Sequence, residues 1–212
     1  NIEGKGTGTL NGDYTEIAKA FYKDTVSVTL KAAEGYELES VTVNGAVATY
    51  ETTANADTYT FTMPAEDVTV NVVFVKTVYQ VTIDAAIENG TVASDKDSAS
   101  IEDVITLTVT PDEGYNLANI YVVTASGEYI PLSVDNAGKY FFTMPAEDVT
   151  VHAAFAKNIY TVTFVDYNGK ILKIEGVAFQ EAATAPADPY RKGYTFDGWD
   201  VAFDSVTENL TV

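Results

Sequence analysis

Apolar and polar residues alternate along much of this chain, a pattern typical of β-strands that bury one face. The alternation is strict in VSVTL (26–30), ITLTV (105–109) and YTVTF (160–164). Residue types that favour strands, such as Thr, Val, Tyr and Phe, dominate these runs. Only residues 13–24 and 179–186 have helical character. We therefore predict a mainly β protein with at most a turn or two of helix in each unit.

The chain also contains an internal repeat. The nine-residue peptide TMPAEDVTV occupies residues 62–70 and again residues 143–151. Each copy follows a Glu-Gly-Tyr sequence and is itself followed by Phe-x-Lys. Boundaries after the two terminal lysines predict three small modules, which span residues 1–76, 77–157 and 158–212. Because the linkers between them are short, we expect consecutive modules to touch and the array to be elongated.

Asn-Gly pairs mark three predicted hairpin turns, at residues 44–45, 89–90 and 168–169. Both central positions of a type I′ turn need positive φ, which Asn and Gly tolerate best. Each pair is therefore predicted to join two neighbouring strands.

The repeated peptide carries two adjacent acids, which could be a duplicated catalytic or metal site. Adjacent side chains at a turn diverge, whereas the acid–base pair of a glycoside hydrolase faces across a bond over about 5–10 Å. Pro pushes the preceding Met into an extended conformation and sets φ for a tight turn. We therefore predict a structural corner in which the Asp accepts hydrogen bonds from nearby backbone N–H groups. The corner residues are Met63, Pro64, Asp67, Met144, Pro145 and Asp148.

The Glu-Gly-Tyr sequence is a second repeated feature, and Lys-Gly-Tyr echoes it near the C-terminus. Glycine there is predicted to supply a positive φ at a turn or bulge, and the tyrosine to begin a strand with its ring inward. A binding platform of exposed tyrosine rings is the alternative. The glycines and tyrosines concerned are Gly35, Tyr36, Gly114, Tyr115, Gly193 and Tyr194.

Trp199 is the only tryptophan, and it has two interpretations. In a unit this small a single Trp is more often the core anchor, and we favour that role. An exposed Trp could instead stack on a sugar ring. Trp199 and Tyr194 are therefore the candidate ligand-binding residues.

The single histidine, His152, has no second histidine with which to build a metal site. Strand alternation places it on the outer face, and Asn71 stands at its position in the first copy. We interpret it as a surface residue. The stretch that begins at Asp95 resembles the start of a calcium loop but lacks the glycine and the closing Glu. We expect no metal and no cofactor.

Composition narrows the partners and the compartment. The formal net charge of -19 repels phosphate backbones and anionic lipids, so nucleic-acid and membrane-surface partners are not expected. The absence of cysteine excludes disulfides, thiolate metal sites and a cysteine nucleophile. The chain has no apolar run that could cross a bilayer, and it starts without Met or a signal-peptide pattern. We expect an internal piece of a longer, monomeric chain.

Residues 160–212 resemble the Listeria/Bacteroides repeat, the family of the internalin B repeat. The matching features are Val162-Thr163-Phe164, the turn at 168–169, the prolines that follow, and above all GYTFDGW (193–199). The first two modules are similar to divergent relatives of that repeat, marked by the Glu-Gly-Tyr turn and the FTMPAEDVTV corner. The third copy departs from the family pattern by stopping at Val212, before a last strand that would end in an aromatic residue.

The resemblance implies a secreted or cell-wall-attached protein, mostly from Gram-positive bacteria, in which such repeats are non-catalytic stalks or adhesion modules. Its partners would be a host protein or glycan and the neighbouring domains of the same chain. A glycan-binding accessory module of a surface polysaccharide-degrading enzyme is the alternative. The implied fold is β-grasp-like, with an Ig-like β-sandwich as the alternative for the first two modules. The implied core residues of the third module are Phe164, Pro186, Tyr194, Phe196 and Trp199.

Some surface modules of this kind carry an amide crosslink between Lys and Asn. Lys23, Lys31 or Lys173 could take part in one, although strand alternation points Lys31 outward.

Overall fold

The computed structural model describes residues 2–3, 6–10, 19–53 and 56–212. Within these residues the chain forms twenty β-strands and no helix, which confirms the prediction of a mainly β protein. Residues 179–186 are a turn followed by irregular chain, so the helical character predicted there is wrong. Residues 13–18 lie outside the described part, and residues 19–24 are irregular chain with a turn at residues 22–23.

The N-terminal segment contains two four-stranded sheets, ordered β1-β8-β4-β5 and β2-β3-β7-β6. A core of buried Val28, Leu30, Val41, Val72 and Phe74 draws on both. The strands are β1 (Ile2–Glu3), β2 (Gly6–Leu10), β3 (Thr25–Ala32), β4 (Tyr36–Val43), β5 (Ala46–Val47), β6 (Thr49–Thr53), β7 (Ala56–Thr62) and β8 (Val70–Lys76).

The central segment repeats this plan with a four-stranded sheet and a five-stranded sheet around one core. The strands are β9 (Val78–Ile83), β10 (Gly90–Ser94), β11 (Ser98–Ser100), β12 (Val104–Pro111), β13 (Tyr115–Thr124), β14 (Tyr129–Ile130), β15 (Ser133–Val134), β16 (Tyr140–Thr143) and β17 (Val149–Lys157). The sheets are ordered β10-β12-β16-β15 and β11-β9-β17-β13-β14. Ile105, Leu107, Val122 and Val151 are fully buried at the centre.

The C-terminal segment has a single sheet ordered β19-β18-β20, made of β18 (Ile159–Val165), β19 (Ile171–Ala178) and β20 (Leu210–Thr211). Between β19 and β20 the chain is irregular, and Trp199, Val201 and Phe203 from this stretch pack against buried Val162 and Phe164. Among the described strands, no sheet combines strands from two segments. The β-grasp and Ig-like assignments stay predictions.

The predicted hairpin turns have different outcomes. Asn44 and Gly45 both have positive φ, 48° and 81°, and join the paired strands β4 and β5. The turn at 168–169 joins β18 to β19, also with a positive φ at its glycine. Residues 89–90 do not form a hairpin, because Gly90 begins β10, which pairs with β12 and not with β9. Glycine is needed there for a packing reason: a Cβ would lie 2.6 Å from the Phe155 ring.

The C-terminal core can be tested with Trp199 as its own reporter. Phe164 is fully buried and its ring lies 5.1 Å from that of Trp199. Phe164→Ala should destabilise this segment by about 3–5 kcal/mol. Ile159→Ala, on the same strand at a position that is 67% exposed, should change stability by less than about 1 kcal/mol. Urea titrations followed by tryptophan fluorescence measure both, and equal shifts would contradict the packing described.

Candidate functional site

The Glu-Gly-Tyr turns lie where one segment passes into the next. Tyr36 pairs with Lys76 and Tyr115 pairs with Lys157, so each turn stands beside the last residue of its segment's final strand. The glycine carbonyl then accepts a hydrogen bond from the first residue of the following segment. Thr77 N–H donates to Gly35 at 2.9 Å, and the equivalent bond at the second junction is 2.8 Å.

Each of these glycines also receives an apolar side chain from the following segment. A Cβ on Gly35 would lie 2.8 Å from a methyl carbon of Ile101, and a Cβ on Gly114 would lie 2.1 Å from the Phe179 ring. Both glycines have positive φ, +74° and +78°. Glycine is therefore required twice over, for backbone conformation and for the closeness of the next segment. We call each such contact a junction.

Ile101 and Phe179, the side chains that contact the glycines, lie in turns of the same conformation. The residue after each one, Glu102 or Gln180, has positive φ. Glu102 N–H donates to the carbonyl of Met144 at 3.0 Å, and Gln180 N–H donates to that of Val206 at 2.8 Å. Ile101 and Phe179 are thus presented by the same local structure, although the surrounding sequences differ.

A lysine closes each junction. Lys157, the last residue of β17, forms a 2.5 Å ion pair with Glu181. The hydrogen bond from Lys157 lowers the pKa of Glu181, and the same bond raises the pKa of Lys157. At the first junction Lys76 donates to the carbonyl of Ile101 at 2.8 Å and lies 3.7 Å from the Glu102 carboxylate.

The sequence predicted the positive φ of Gly35 and Gly114 and a contact between consecutive modules, but not the residues that make it. Ile101 and Phe179 belong to turns that the strand pattern does not distinguish. One feature of the sequence could have identified Ile101 and Phe179. The peptides SIED (100–103) and AFQE (178–181) each contain an apolar residue and an acid, and each lies in the segment that follows a terminal lysine. Tyr36 and Tyr115 begin strands and are half-buried.

The corner peptide directs its two acids to different partners. Asp148 accepts a hydrogen bond from Gln80 N–H at 2.8 Å, across 68 residues of sequence. Glu147 accepts bonds from Ser126, from its N–H at 3.0 Å and from its hydroxyl at 3.2 Å. The N–H bond is the main cause of a lowered Glu147 pKa. The acids therefore diverge and act as acceptors for other parts of the central segment.

The remaining corner residues are structural in their placement. Met144 is buried and its N–H donates to the carbonyl of Asp103 at 2.8 Å, while half-buried Met63 makes the equivalent bond to Asp24. The two prolines, Pro64 and Pro145, are half-buried, whereas the Asp67 side chain is exposed. The Asp67 carbonyl lies 3.5 Å from the Asn44 amide nitrogen.

The two candidate ligand-binding residues border one cleft in the C-terminal segment. The cleft has a volume of about 350 Å³ and is lined by Asp166, Tyr167, Arg191, Tyr194, Phe196, Asp197, Trp199 and Asp200, among others. The Arg191 guanidinium lies over two tyrosine rings, 4.3 Å from the centre of Tyr167 and 3.9 Å from that of Tyr194. The cleft thus combines aromatic surface with both signs of charge.

Trp199 faces both the core and this cleft. It is half-buried, and its ring meets those of Phe164 and Phe196 edge-on at 5.1 and 5.2 Å. Tyr194 is 65% exposed, so the core role that the resemblance implied for it is wrong. It does not begin a strand; it follows Gly193, whose φ of +82° makes a turn open to solvent.

His152 is paired, which its interpretation as a plain surface residue did not anticipate. Its Nδ1 lies 2.6 Å from the Asp84 carboxylate, and its ring stacks on Tyr121 with centroids 4.9 Å apart. Hydrogen bonds from Ala86 N–H and then from His152 lower the pKa of Asp84. The group ties β17 to the end of β9 on the outer face of the sheet.

Other candidate chemistry has structural partners. Asp95 accepts a bond from Thr106 N–H at 2.8 Å, and no cluster of three potential metal ligands occurs within the described residues. Lys173 donates to the carbonyl of Thr184 and pairs with Glu175 at 2.9 Å. The described part of the chain also has no helix with the length and hydrophobicity that crossing a bilayer requires.

Comparison with known proteins identifies similar sequences along the chain. The model of the divergent InlB B-repeat domain matches residues 1–78 and again residues 79–159. The model of the Listeria-Bacteroides repeat domain matches residues 160–210. Internalin H of Listeria monocytogenes is 38% identical over 87 residues, a match that covers 41% of this chain and 14% of Internalin H. No solved structure matches the chain.

The ion pair at the second junction makes a prediction about pH. Because the Glu181 pKa is lowered, the pair contributes stability above the ordinary Glu value of 4.5, and this is lost as pH falls through the lowered pKa. Because the Lys157 pKa is raised, the contribution holds below the ordinary Lys value of 10.5 and is lost as pH rises through the raised pKa.

Lys157→Met should therefore return the Glu181 pKa toward 4.5, measured by NMR titration of the side-chain carboxyl. Lys170→Met removes an exposed lysine from the turn after β18 and is the matched control, with no expected change. If Glu181 titrates at the same pH in both variants, the pair does not form in solution.

Proposed function

The chain belongs to the InlB B-repeat and Listeria-Bacteroides repeat families of bacterial surface proteins, and we propose that it is a non-catalytic extracellular spacer. As a spacer it would hold a neighbouring domain of the same longer chain away from the cell. The chain covers 14% of Internalin H, so the role of the whole protein is part of this proposal.

The observation that carries the proposal is the repeated junction. The same three contacts recur at both: a bond to the glycine carbonyl, an apolar side chain against the glycine, and a lysine bonded to the next segment. A flexible tether would need none of them, because a flexible linker lets the modules that it joins move independently. Fixed junctions between modules are what a spacer of defined length requires.

Several features support a non-catalytic, extracellular role. In the second copy of the repeated peptide, Glu147 and Asp148 accept hydrogen bonds from different backbone N–H groups of their own segment. The net charge of -19 favours solubility over attachment to anionic surfaces. We place the protein outside the cell, secreted or attached to the wall, as a monomer whose segments are separate modules.

The spacer role can be tested at the second junction. Phe179 is 6% exposed and its ring lies 6.3 Å from that of Tyr115. Phe179→Ala should free the central segment from the C-terminal one and broaden the distribution of distances between them. Because the chain has no cysteine, spin labels at Val134→Cys and Ile174→Cys, both more than half exposed, report this distance by pulsed electron resonance.

Tyr190→Ala is the matched control, because it removes an aromatic ring that is 84% exposed and outside the junction. It should leave a narrow distance distribution, and Trp199 emission checks that the C-terminal segment stays folded in both variants. Equally narrow distributions for Phe179→Ala and Tyr190→Ala would remove the support that the junction gives to a spacer.

A second candidate function is glycan binding at the C-terminal cleft, favoured by one observation. Exposed Tyr194 and half-buried Trp199 border the same open cleft, and aromatic surface beside hydrogen-bonding groups suits a sugar ring. Soluble cell-wall and host oligosaccharides should then change Trp199 fluorescence, and Tyr194→Ala should weaken the change at least about tenfold. Tyr190→Ala should not, and an unchanged emission across the oligosaccharides would eliminate this function.

A further inference from the structure

In each segment, the first strand that the structure describes pairs in parallel with the last one that it describes. In the central segment, Val81, Thr82 and Ile83 of β9 lie opposite Val149, Thr150 and Val151 of β17. In the C-terminal segment, Val162 and Thr163 of β18 lie opposite Leu210 and Thr211 of β20. In the N-terminal segment, β1 also pairs in parallel with β8, with Ile2 and Glu3 opposite Val72 and Val73.

Hydrogen bonds extend these short ladders at both ends. In the central segment Gln80 N–H donates to the Asp148 carboxylate at 2.8 Å, and Asp84 N–H donates to the carbonyl of Val151 at 2.9 Å. Asp148 thus caps the pair at the end where β9 enters.

The C-terminal segment has an equivalent capping hydrogen bond, but the side chain that accepts it is an Asn. Thr161 N–H donates to the Asn209 side chain at 2.8 Å, at the position that corresponds to Asp148. At the other end Val212 N–H donates to Thr163 and its carbonyl accepts from Val165, at 2.9 and 2.8 Å. Two dissimilar sequences therefore close their first and last strands alike.

Parallel pairing decides how a segment responds to pulling. A chain stretched from its two ends draws the first strand toward its start and the last strand toward its finish. In a parallel pair these points lie at opposite ends, so the force runs along the strands and loads all the bonds between them together. Bonds that run across the strands must then fail at once, whereas strands pulled apart from one end separate bond by bond.

Burial of the parallel strand pairs favours strong resistance to a pulling force. Val81, Val149, Val151 and Val162 are buried, so water has little access to the bonds between the strands. Because β17 leads through Asn158 directly into β18, tension passes from the last strand of one segment to the first strand of the next.

We propose that the parallel pair of first and last strand is a mechanical clamp, capped by Asp148 or Asn209, through which the array withstands tension between the domains that it joins. This inference rests on the proposed spacer role, since a spacer pulled at both ends is loaded in this direction. In its second copy the TMPAEDVTV peptide supplies both the capping Asp148 and the first residues of the last strand.

The test is forced unfolding of the full chain in optical tweezers, with handles on introduced cysteines. Handles at Val78→Cys and Ala156→Cys, both exposed, load β9 and β17 along their length. Handles at Val78→Cys and Ala146→Cys load the same two strands from one end. At equal loading rate the first geometry should unfold the central segment at roughly twice the force of the second, or more. Equal forces, or a lower force in the first geometry, would overturn the clamp.

Neighbouring acids provide the matched variants. Asp148→Ala removes the cap and should lower the unfolding force in the first geometry, whereas Glu147→Ala removes an acid bonded to Ser126 and should not. A similar loss in both variants would mean that the effect is general destabilisation and would overturn the role of the cap. Because the spacer role is tested by the distance distribution across the second junction, a failed clamp with a rigid junction would leave the spacer proposal standing.

Discussion

Hydrogen bonds between the first and the last strand close each segment and set the direction in which its chain enters and leaves. They hold the first and the last strand of a segment side by side and pointing in the same direction, so the chain enters and leaves the segment at opposite ends of the pair. The final strand ends beside the Glu-Gly-Tyr turn because it also pairs antiparallel with the strand that follows that turn, with Tyr36 opposite Lys76 and Tyr115 opposite Lys157. The next segment begins there, and this fixes where a junction can form.

Glycine is required at the turn for two reasons. The turn needs a positive φ, and the following segment needs to approach its backbone without a Cβ in the way. The same glycine, Gly35 or Gly114, thus shapes the turn within its own segment and makes the contact with the next segment. The linkage explains how two junctions with different apolar side chains, Ile101 and Phe179, keep the same backbone contact.

The parts of the fold that could be predicted from the sequence are those set by residues close together along the chain. Alternation located the buried positions of β3, β12 and β18, where Val28, Leu107 and Phe164 are buried. The repeated peptide and the glycine turns identified the family and the corners. What could not be predicted depends on contacts between distant residues, such as the bond from Gln80 to Asp148 or the insertion of Phe179 beside Gly114. Tyr194 was misplaced because the chain after β19 is irregular, so alternation gives no inward direction there.

Small-angle X-ray scattering of the full chain in solution distinguishes an array with fixed junctions from freely jointed modules. Fixed junctions should give an elongated particle, with a skewed pair-distance distribution whose maximum distance does not change as salt rises from low to high concentration. Salt screens the exposed lysine pairs but not the apolar contacts of Ile101 and Phe179. A compact globule, or the featureless scattering of freely jointed modules, would contradict an array with fixed junctions.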